Sequence, residues 1–227
     1  MPRRASRSWR ADFHAFAFRT LFRVAAVSGD RGQRLVYRVY FGWLYRRPDP
    51  WHYASSAYEQ EKYRRTLAAL GNLPAASALE AGCGEGLFTE LLLEHGLADS
   101  IVGVDINEAA LLRARERCRR FPGASFVPAN LATAVPEGSF DLIVCAETLY
   151  YLGGGADTAC ALMTGRLTPG GRIVAVHPAS HAGALHNPWT DDPDLITERR
   201  ELVEDPTRPY VIEVFRRVDR PAQLGEP

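Results

Sequence analysis

The sequence predicts an α/β protein with a doubly wound, mostly parallel sheet of seven strands. Two observations carry this prediction: five short apolar segments that alternate with helical stretches, and a glycine-rich turn directly after the first of them. Strands that alternate with helices form right-handed βαβ units, so their carboxyl ends meet at one edge of the sheet. That edge is the expected ligand site.

The first strand ends at Ala81 and runs into a turn with the spacing Gly82-x-Gly84-x-Gly86. Such a turn leaves backbone N–H groups at a helix N-terminus free to face a ligand. A dinucleotide site prefers Gly-x-Gly-x-x-Gly and a pyrophosphate, which the acid Glu80 would repel. Glu80 instead suits a ligand that carries a cation, although glycines also occur in turns for steric reasons alone.

The stretch from Leu79 to Phe88 resembles motif I of the class I S-adenosylmethionine-dependent methyltransferases. The α-ammonium and sulfonium groups of S-adenosylmethionine are cations, in keeping with an acid at Glu80. The resemblance implies that S-adenosyl-L-methionine is the cofactor, with S-adenosyl-L-homocysteine as product. In this segment it assigns cofactor binding to Glu80, Gly82, Cys83, Gly84 and Gly86.

The second strand, from Ile101 to Val104, ends at Asp105, close to the ~20-residue offset at which βαβ nucleotide sites place an acid on the ribose hydroxyls. This strand end resembles motif II of the same enzymes, and Ile106 follows it. The third strand leads into Asn130 and Leu131, which the resemblance assigns to adenine. The fourth strand, Phe140 to Cys145, leads into Ala146; Cys145 and Ala146 join the expected cofactor site.

The fifth strand runs from Gly171 to Val176 and ends at His177. Polar residues at or just past the strand ends should then converge on the ligand edge: Glu80, Asp105, Asn130, Glu147 and His177. Strand ends also reach the surface, where polar residues belong in any case. Coming after this glycine turn, the five together favour a site.

Length and composition indicate one domain plus an extension. With the resemblance, residues 48–220 are expected to form the methyltransferase domain, 1–47 a helical N-terminal extension and 221–227 a flexible tail. The chain has 227 residues, 46% hydrophobic and 24% charged, without a long apolar run. Its four cysteines show no metal-ligand pairing, so no metal site is expected. Cys83 and Cys145 are expected to line the pocket and Cys118 and Cys160 to lie on helices, as reduced thiols of a cytoplasmic protein.

The extension holds eleven arginines against two acids, interleaved with aromatic residues. Its helices could pack their aromatic side chains on the core domain and leave the arginines solvated, which is the favoured interpretation. A peripheral contact with an anionic membrane and nucleic-acid binding are the alternatives.

The segment that joins the extension to the core narrows the family. Asp49-Pro50-Trp51, Tyr58-Glu59 and Lys62-Tyr63, taken with 79–86 and 140–152, resemble the nodulation protein S family of N-methyltransferases. Those enzymes methylate the amine of a glucosamine residue, and the resemblance covers about residues 48–178. It implies that Trp51, Tyr58 and Tyr63 form a lid over the cofactor, although such aromatic residues are more often part of a core.

Methyl transfer is an in-line displacement, in which alignment alone can supply up to ~7–11 kcal/mol. A strong base is therefore not required for an amine, whereas a hydroxyl needs one within hydrogen-bond reach. Glu147, His177 and His181 are the candidate bases, and His177 is the best placed near neutral pH. Glu147 and Tyr150 are then expected to orient the acceptor, with a structural cap as the alternative role of Glu147. His181, His186 and Trp189 are expected in a loop that faces the substrate. The expected acceptor is the amine of an amino sugar or glycosylated metabolite, with a sugar or natural-product hydroxyl as second choice.

Three other classes stay open. A nicotinamide-dependent oxidoreductase would share Asp105 but have no use for Glu80. A nucleic-acid methyltransferase would use the basic extension, but DNA amino-methyltransferases carry Asn/Asp-Pro-Pro-Tyr/Phe where this chain reads Ala-Glu-Thr-Leu-Tyr. A non-catalytic S-adenosylmethionine-binding partner protein is the third.

The expected strand order is 3-2-1-4-5-7-6, with a final pair at Arg199 to Glu204 and Tyr210 to Arg217.

Overall fold

The computed structural model describes residues 29–71 and 74–218. Its strands are β1 (Ala75–Ala81), β2 (Ala98–Asp105), β3 (Ala124–Pro128), β4 (Phe140–Ala146), β5 (Leu167–Pro178), β6 (Leu195–Val203) and β7 (Tyr210–Arg217). They form one sheet in the order β3-β2-β1-β4-β5-β7-β6, parallel except for β7, which is antiparallel to β5 and β6. The predicted fold class and strand order are confirmed.

Two of the described helices precede β1, and the other four connect successive strands as βαβ units require. The helices are α1 (Gly29–Leu44), α2 (Ala57–Leu70), α3 (Leu87–Glu94), α4 (Glu108–Arg117), α5 (Ala156–Arg166) and α6 (Ala179–Thr190). Short 3₁₀ turns at Leu149–Tyr151 and Gly153–Gly155 follow β4. Ser56 caps α2 by accepting a hydrogen bond from Glu59 N (3.5 Å), which places the predicted helix start at Ala57.

The central strands are buried on both faces because helices cover both sides of a parallel sheet. Leu79, Ile143 and Ile173 point into one core, which includes residues of α5 and α6. Leu142 and Val174 point into the other, which includes residues of α2 and α3. This two-sided burial explains why these strands are continuous apolar runs. Because β1 to β5 pair in parallel, their carboxyl ends lie at one edge of the sheet.

Two boundaries differ from the sequence-based expectation. β6 begins at Leu195, four residues earlier than predicted, because its exposed middle carries polar side chains that resemble a loop. The segment after β5 was expected to be a loop and is the helix α6, although Pro188 lies within its last turn.

Backbone contacts divide the described residues into two units that separate between Leu44 and Tyr45. In the first unit, α1 exposes the apolar side chains of Leu35 and Val39. The predictions for residues 1–28 and for the tail at 221–227 lie outside the described residues. Among the residues that the structure describes, no helix combines the length and apolar character needed to cross a bilayer.

Candidate functional site

Three glycines form the turn between β1 and α3, and all have left-handed backbone conformations. Gly82, Gly84 and Gly86 have φ values of 77°, 53° and 74°, where an L side chain is strained. Space is limiting as well, since a Cβ on Gly82 would lie 2.2 Å from Thr148 Oγ1 and one on Gly86 2.9 Å from Ala114 Cβ. The turn therefore packs directly against the loop after β4 and against α4.

Asp105 lies at the end of β2, beside this turn. Its Oδ2 accepts a hydrogen bond from Gly84 N (3.0 Å) and its Oδ1 accepts one from Asn107 N (2.8 Å). Burial nevertheless raises the pKa of Asp105 to about 6, because the charged carboxylate is poorly solvated there. Ile106 is exposed next to it. A carboxylate beside an exposed apolar side chain suits a ligand in which hydroxyl groups adjoin a flat ring.

Glu80 is buried near the end of β1, and the Thr89 hydroxyl of α3 donates a hydrogen bond to its Oε2. The pKa of Glu80 is raised to about 8, mainly by burial and to a smaller extent by the neighbouring Asp105, while the hydrogen bond from Thr89 opposes the change. The carboxyl group is therefore mostly protonated at neutral pH in the free protein. A bound cation nearby would favour its charged form.

The remaining residues expected at the cofactor differ in what they present. Asn130 is half-buried, and its Oδ1 accepts a backbone N–H two residues later (3.2 Å). Leu131 and Cys145 have side chains in the core, and the Cys83 side chain packs against α4. The side chains of Cys83 and Cys145 are both buried in the interior, and their place along the cofactor pocket stays a prediction. Ala146 is half-buried at the end of β4.

A segment before α2 covers the glycine turn. Tyr45 is buried, and its hydroxyl would lie 3.2 Å from a Cβ on Gly84. Arg113 fixes this segment by donating to Tyr45 O (2.9 Å) while it pairs with Glu85 in the turn (2.7 Å). The Trp51 side chain hydrogen-bonds the Tyr45 hydroxyl. Sequence reasoning placed Trp51 in the lid but assigned Tyr45 to the extension.

The other two aromatic residues of the predicted lid, Tyr58 and Tyr63, lie on α2. Tyr58 donates its hydroxyl to Arg208 O (2.6 Å) in the β6–β7 turn, and its ring meets the edge of Tyr210 at 5.8 Å between centroids. Tyr63 stacks on Phe88 of α3 at 5.2 Å. Both positions follow from helical spacing on α2, which turns successive side chains to different faces. Tyr58 therefore contacts the β6–β7 turn, whereas Tyr63 packs on the first turn of α3, directly after the glycine turn. Their part in a lid stays a prediction.

A buried charge cluster lies after β4. Glu147 has a φ of 53°, rare for a residue with a side chain. Its Oε1 accepts from Lys62 Nζ (2.7 Å) and its Oε2 from the Tyr150 hydroxyl (2.8 Å). Lys62 is 5% exposed and also pairs with Glu59 (2.8 Å). The cluster therefore joins α2 to the loop after β4.

Sequence reasoning assigned Glu147 and Tyr150 to the acceptor side but gave Lys62 no role. A buried lysine needs charged partners to offset its lost hydration. Lys62 and Glu147 are 85 residues apart in the chain, so no local pattern could reveal the pair. The signal that was present is the i, i+3 spacing of Glu59 and Lys62.

His177 does not lie where an acceptor could reach it. Its side chain is fully buried, and Nε2 accepts from Thr148 N (3.4 Å) and Leu149 N (3.2 Å). Nδ1 lies 2.9 Å from His186 Nε2. Burial lowers the pKa of His177 well below its usual value, and His186 and Lys62 add to this effect. The predicted role of His177 as general base is therefore not supported by its position, since both ring nitrogens are engaged.

The expected substrate loop is the helix α6, which changes what its residues can contact. His186 is buried and lies 2.9 Å from Glu213 Oε2. Trp189 is fully buried beside Phe215. Both face the core because the helix packs on the sheet, which corrects their predicted contact with substrate. His181 is exposed, 6.2 Å from the Tyr150 ring between centroids, and stays a candidate.

All four cysteines are buried and unpaired. Over residues 29–71 and 74–218, no three or more His, Cys, Asp or Glu side chains are grouped so that they could hold a metal ion.

A family model described as Nodulation protein S (NodS) matches residues 45–167. Nodulation protein S of Rhizobium tropici is 36% identical over 129 residues, which are 56% of this chain and 53% of that protein. The chain spans about half the length of the curated nodulation proteins that it matches. The matched range includes the glycine turn, Asp105 and the loop after β4.

Two further likenesses bear on the site. Trans-aconitate 2-methyltransferase of Rhizobium leguminosarum bv. trifolii is 31% identical over 169 residues, 67% of this chain and 63% of that protein. The crystal structure of N-methyltransferase NodS from Bradyrhizobium japonicum WM9, in complex with S-adenosyl-L-homocysteine, superposes with a TM-score of 0.72. It is 25% identical, and the match covers 80% of this chain and 98% of that one.

Proposed function

Because this chain belongs to the nodulation protein S family, we propose that it transfers a methyl group from S-adenosyl-L-methionine to a nitrogen atom of a small molecule. The acceptor that we favour is the amine of an amino sugar, free or within a glycosylated metabolite. The similar solved structure is named an N-methyltransferase and contains S-adenosyl-L-homocysteine, the demethylated form of this cofactor.

The residues at the carboxyl edge fit this cofactor. Asp105 presents a carboxylate to hydroxyl groups, Ile106 an exposed apolar surface, and Glu80 a buried acid that a cation would ionise. When bound, the cofactor supplies a methyl group that a nucleophile can attack. The rest of the proposed cofactor site is Tyr45, Trp51, Gly82, Gly84, Gly86, Asn130 and Ala146, with the backbones of Cys83, Leu131 and Cys145.

The observation that carries the acceptor assignment is the conformation of Glu147. A glutamate with positive φ costs roughly 1–3 kcal/mol, and such strain is concentrated at functional sites. Here it directs the carboxylate to Lys62 and Tyr150 at the edge that carries the glycine turn. A carboxylate with an adjacent hydroxyl suits an amine, because it can accept the hydrogen bonds of an N–H donor.

Glu147 and Tyr150 would bind the acceptor nitrogen and orient its lone pair. The nitrogen must lose a proton around the time it is alkylated, and Glu147 Oε2 is the proposed group to receive it. Lys62 holds the other carboxylate oxygen, which limits rotation of the side chain. We do not assign this step to His177, because it is fully buried whereas Glu147 is partly exposed, and a carboxylate oxygen keeps a second lone pair when it accepts one hydrogen bond.

Transfer to an oxygen atom is the second candidate. The trans-aconitate methyltransferase that matches 67% of this chain supports it. A non-catalytic protein that binds the cofactor is a third outcome. Because the candidates differ in the acceptor atom, products distinguish them.

The test is incubation of the full chain with S-adenosyl-L-methionine and three acceptors, followed by mass detection. We expect a mass gain of one methyl group on a glucosamine oligosaccharide with a free amine, but none on its N-acetylated counterpart, whose lone pair is delocalised, and none on trans-aconitate. Methylation of trans-aconitate alone would favour the second candidate. Cofactor binding without any product from these acceptors would count against the amino-sugar assignment.

The role of Glu147 has its own control. We expect Glu147→Gln to lower turnover of the amine at least about tenfold, because the amide cannot take up the proton. Glu61→Gln, on the exposed side of α2, should leave turnover unchanged. Equal turnover in the Glu147 variant and the wild type would remove Glu147 from the acceptor site.

The remaining proposals concern partners and location. A small molecule is the expected partner, and nucleic acid is disfavoured by the sequence after β4. The arginine-rich N-terminal segment is proposed to allow peripheral contact with anionic lipid, and His181 to face the acceptor. Four unpaired thiols accord with a cytoplasmic protein.

A further inference from the structure

Four side chains form a continuous hydrogen-bonded series beneath the loop after β4. His177 Nδ1 lies 2.9 Å from His186 Nε2, His186 Nδ1 lies 2.9 Å from Glu213 Oε2, and Arg200 donates to the same oxygen at 2.7 Å. His177, His186 and Glu213 are no more than 2% exposed, whereas Arg200 reaches solvent. The series therefore runs from the surface of β6 to the loop through the interior.

Donors and acceptors in this series allow one assignment of the protons. Thr148 N and Leu149 N are donors, so His177 Nε2 must be an acceptor without a proton. Its proton is then on Nδ1 and is donated to His186 Nε2. That leaves the proton of His186 on Nδ1, donated to Glu213. Each ring thus uses one nitrogen as donor and the other as acceptor, so every ring nitrogen of His177 and His186 has a partner.

The charge of Glu213 fixes the direction of the series. Although burial raises its pKa, the hydrogen bonds from His186 and Arg200 lower the pKa of Glu213 below its ordinary value. A carboxylate is only an acceptor, so it requires a proton on His186 Nδ1. If the direction of donation were reversed, His177 Nε2 would carry a proton that faces two backbone N–H donors, which is unfavourable. The other charged or titratable groups acting on His177 are Lys62 from α2 and His181 from α6, and the Tyr150 ring lies beside it.

We propose that His177 is a positioning residue, whose Nε2 holds the backbone of Thr148 and Leu149 while His186 and Glu213 fix the tautomer that makes this nitrogen an acceptor. The loop held in this way begins with Glu147 and continues to Tyr150. Resting on the proposed function, the series keeps the acceptor-binding carboxylate and hydroxyl in their positions without contacting the acceptor. His186 and Glu213 act through His177.

The structural test uses hydrogen exchange and imidazole ¹⁵N shifts of the full chain. We expect ¹⁵N shifts to report a proton on Nδ1 of His177 and none on Nε2. His186→Leu should raise exchange at Thr148 and Leu149 about tenfold or more relative to Val144 of β4. His186→Gln retains an acceptor for His177 Nδ1 and should restore protection.

Met163→Ala is the control for general loss of stability, because Met163 is buried in α5 outside the series. It should leave the ratio of exchange between Thr148 and Val144 unchanged. A proton on His177 Nε2, or the same exchange ratio in His186→Leu as in the wild type, would overturn the proposal.

The functional test separates turnover from cofactor binding. With the free-amine glucosamine oligosaccharide, we expect His186→Leu to lower kcat about tenfold while its Kd for S-adenosyl-L-homocysteine stays within about twofold, and His186→Gln to recover most of the turnover. An unchanged kcat in His186→Leu would overturn the role in turnover. Absence of any methyl transfer by the wild type would instead count against the proposed function, while the exchange test still decides the positioning role.

Discussion

Two carboxyl groups at opposite ends of the sheet, Asp105 and Asp141, bind backbone N–H groups in similar ways. Asp105 accepts from Gly84 N and Asn107 N at the carboxyl edge. Asp141 accepts from two N–H groups at the start of β1, both at 3.1 Å. Comparable substitutions at the two positions can therefore separate a ligand role from a structural one.

We expect Asp105→Asn to lower the affinity for S-adenosyl-L-homocysteine at least about tenfold, because charge-assisted hydrogen bonds are worth about 1.5–3 kcal/mol. Asp141→Asn should lose stability without this loss of affinity. Titration calorimetry measures the affinity of both variants, and urea unfolding measures their stability. Equal affinities in the two variants would remove Asp105 from the cofactor site.

The buried acid Glu80 gives a prediction about pH. Its pKa of about 8 in the folded protein exceeds its ordinary value of 4.5, so the folded state binds the extra proton between these values. The contribution of Glu80 to the unfolding free energy is therefore fully present below about pH 4.5 and is lost as the pH rises through about 8. Glu80→Gln has no such proton to lose.

The variant should become more stable relative to the wild type between pH 5 and pH 9, as measured by urea unfolding at both pH values. The glutamine side chain of this variant keeps an oxygen that can accept from Thr89, so the hydrogen bond does not account for the change. A stability difference that is the same at both pH values would show that Glu80 is already ionised in the folded protein.

Individual residues differ in how far the sequence could reveal them. The positions of Asp105 and the glycines were predictable, because they depend on strand ends and on spacing along the chain. Lys62 and Tyr45 were not, because their partners are distant in sequence and meet only in the folded protein. His177 illustrates the opposite error: a polar residue at a strand end can face inward when buried partners satisfy it.

At the scale of elements, the glycine turn and the loop after β4 interlock. Gly82 and Gly96 share a left-handed conformation with φ of 77° and 63°, but only Gly82 has a close neighbour, Thr148. Alanine at Gly96 should cost about 1–2 kcal/mol from backbone strain alone. Alanine at Gly82 should cost more and also weaken cofactor binding, because the turn must shift away from Thr148.

Thermal unfolding and calorimetry of both variants measure this difference. If the two alanine variants were equally stable and bound the cofactor equally well, close packing at Gly82 would not matter for the site.

The strands were easier to predict than the segments between them. Those of the parallel core are apolar because both faces are covered, and this pattern is visible in the sequence. In α6, Gly183 and Pro188 indicated a loop, yet a proline in the last turn is tolerated when the helix packs on the sheet. The first four residues of β6 were also missed. Most of this strand is exposed and it pairs with β7 at the edge of the sheet, so its sequence lacks the apolar pattern of the central strands.

At the scale of the whole molecule, the boundary between the two units predicts where the chain can be shortened. Tyr45 belongs to the second unit, and its carbonyl accepts from Arg113 beside the glycine turn. A protein that begins at Tyr45 should therefore fold and keep its affinity for S-adenosyl-L-homocysteine. One that begins at Pro48, the boundary expected from composition, should bind it at least about tenfold more weakly.

Circular dichroism and calorimetry of the two shortened proteins provide the measurement. Equal affinity in both would show that Tyr45 does not contribute to the site. Loss of folding in both would show that residues 1–44 are required for the stability of the second unit.

The close packing of Gly82 and Thr148 bears on how a ligand enters and leaves the site. The Thr148 hydroxyl lies within hydrogen-bond distance of Ala81 O (3.0 Å) and Ala146 O (2.8 Å), so the loop after β4 is anchored to the ends of β1 and β4. The segment from Tyr45 to Trp51 contacts the turn through side chains, since Arg113 donates to Tyr45 O and Glu85 accepts from Asp49 N. We expect this segment to be the part that moves when a ligand enters or leaves. The rate at which that segment moves would then set the residence time of the product.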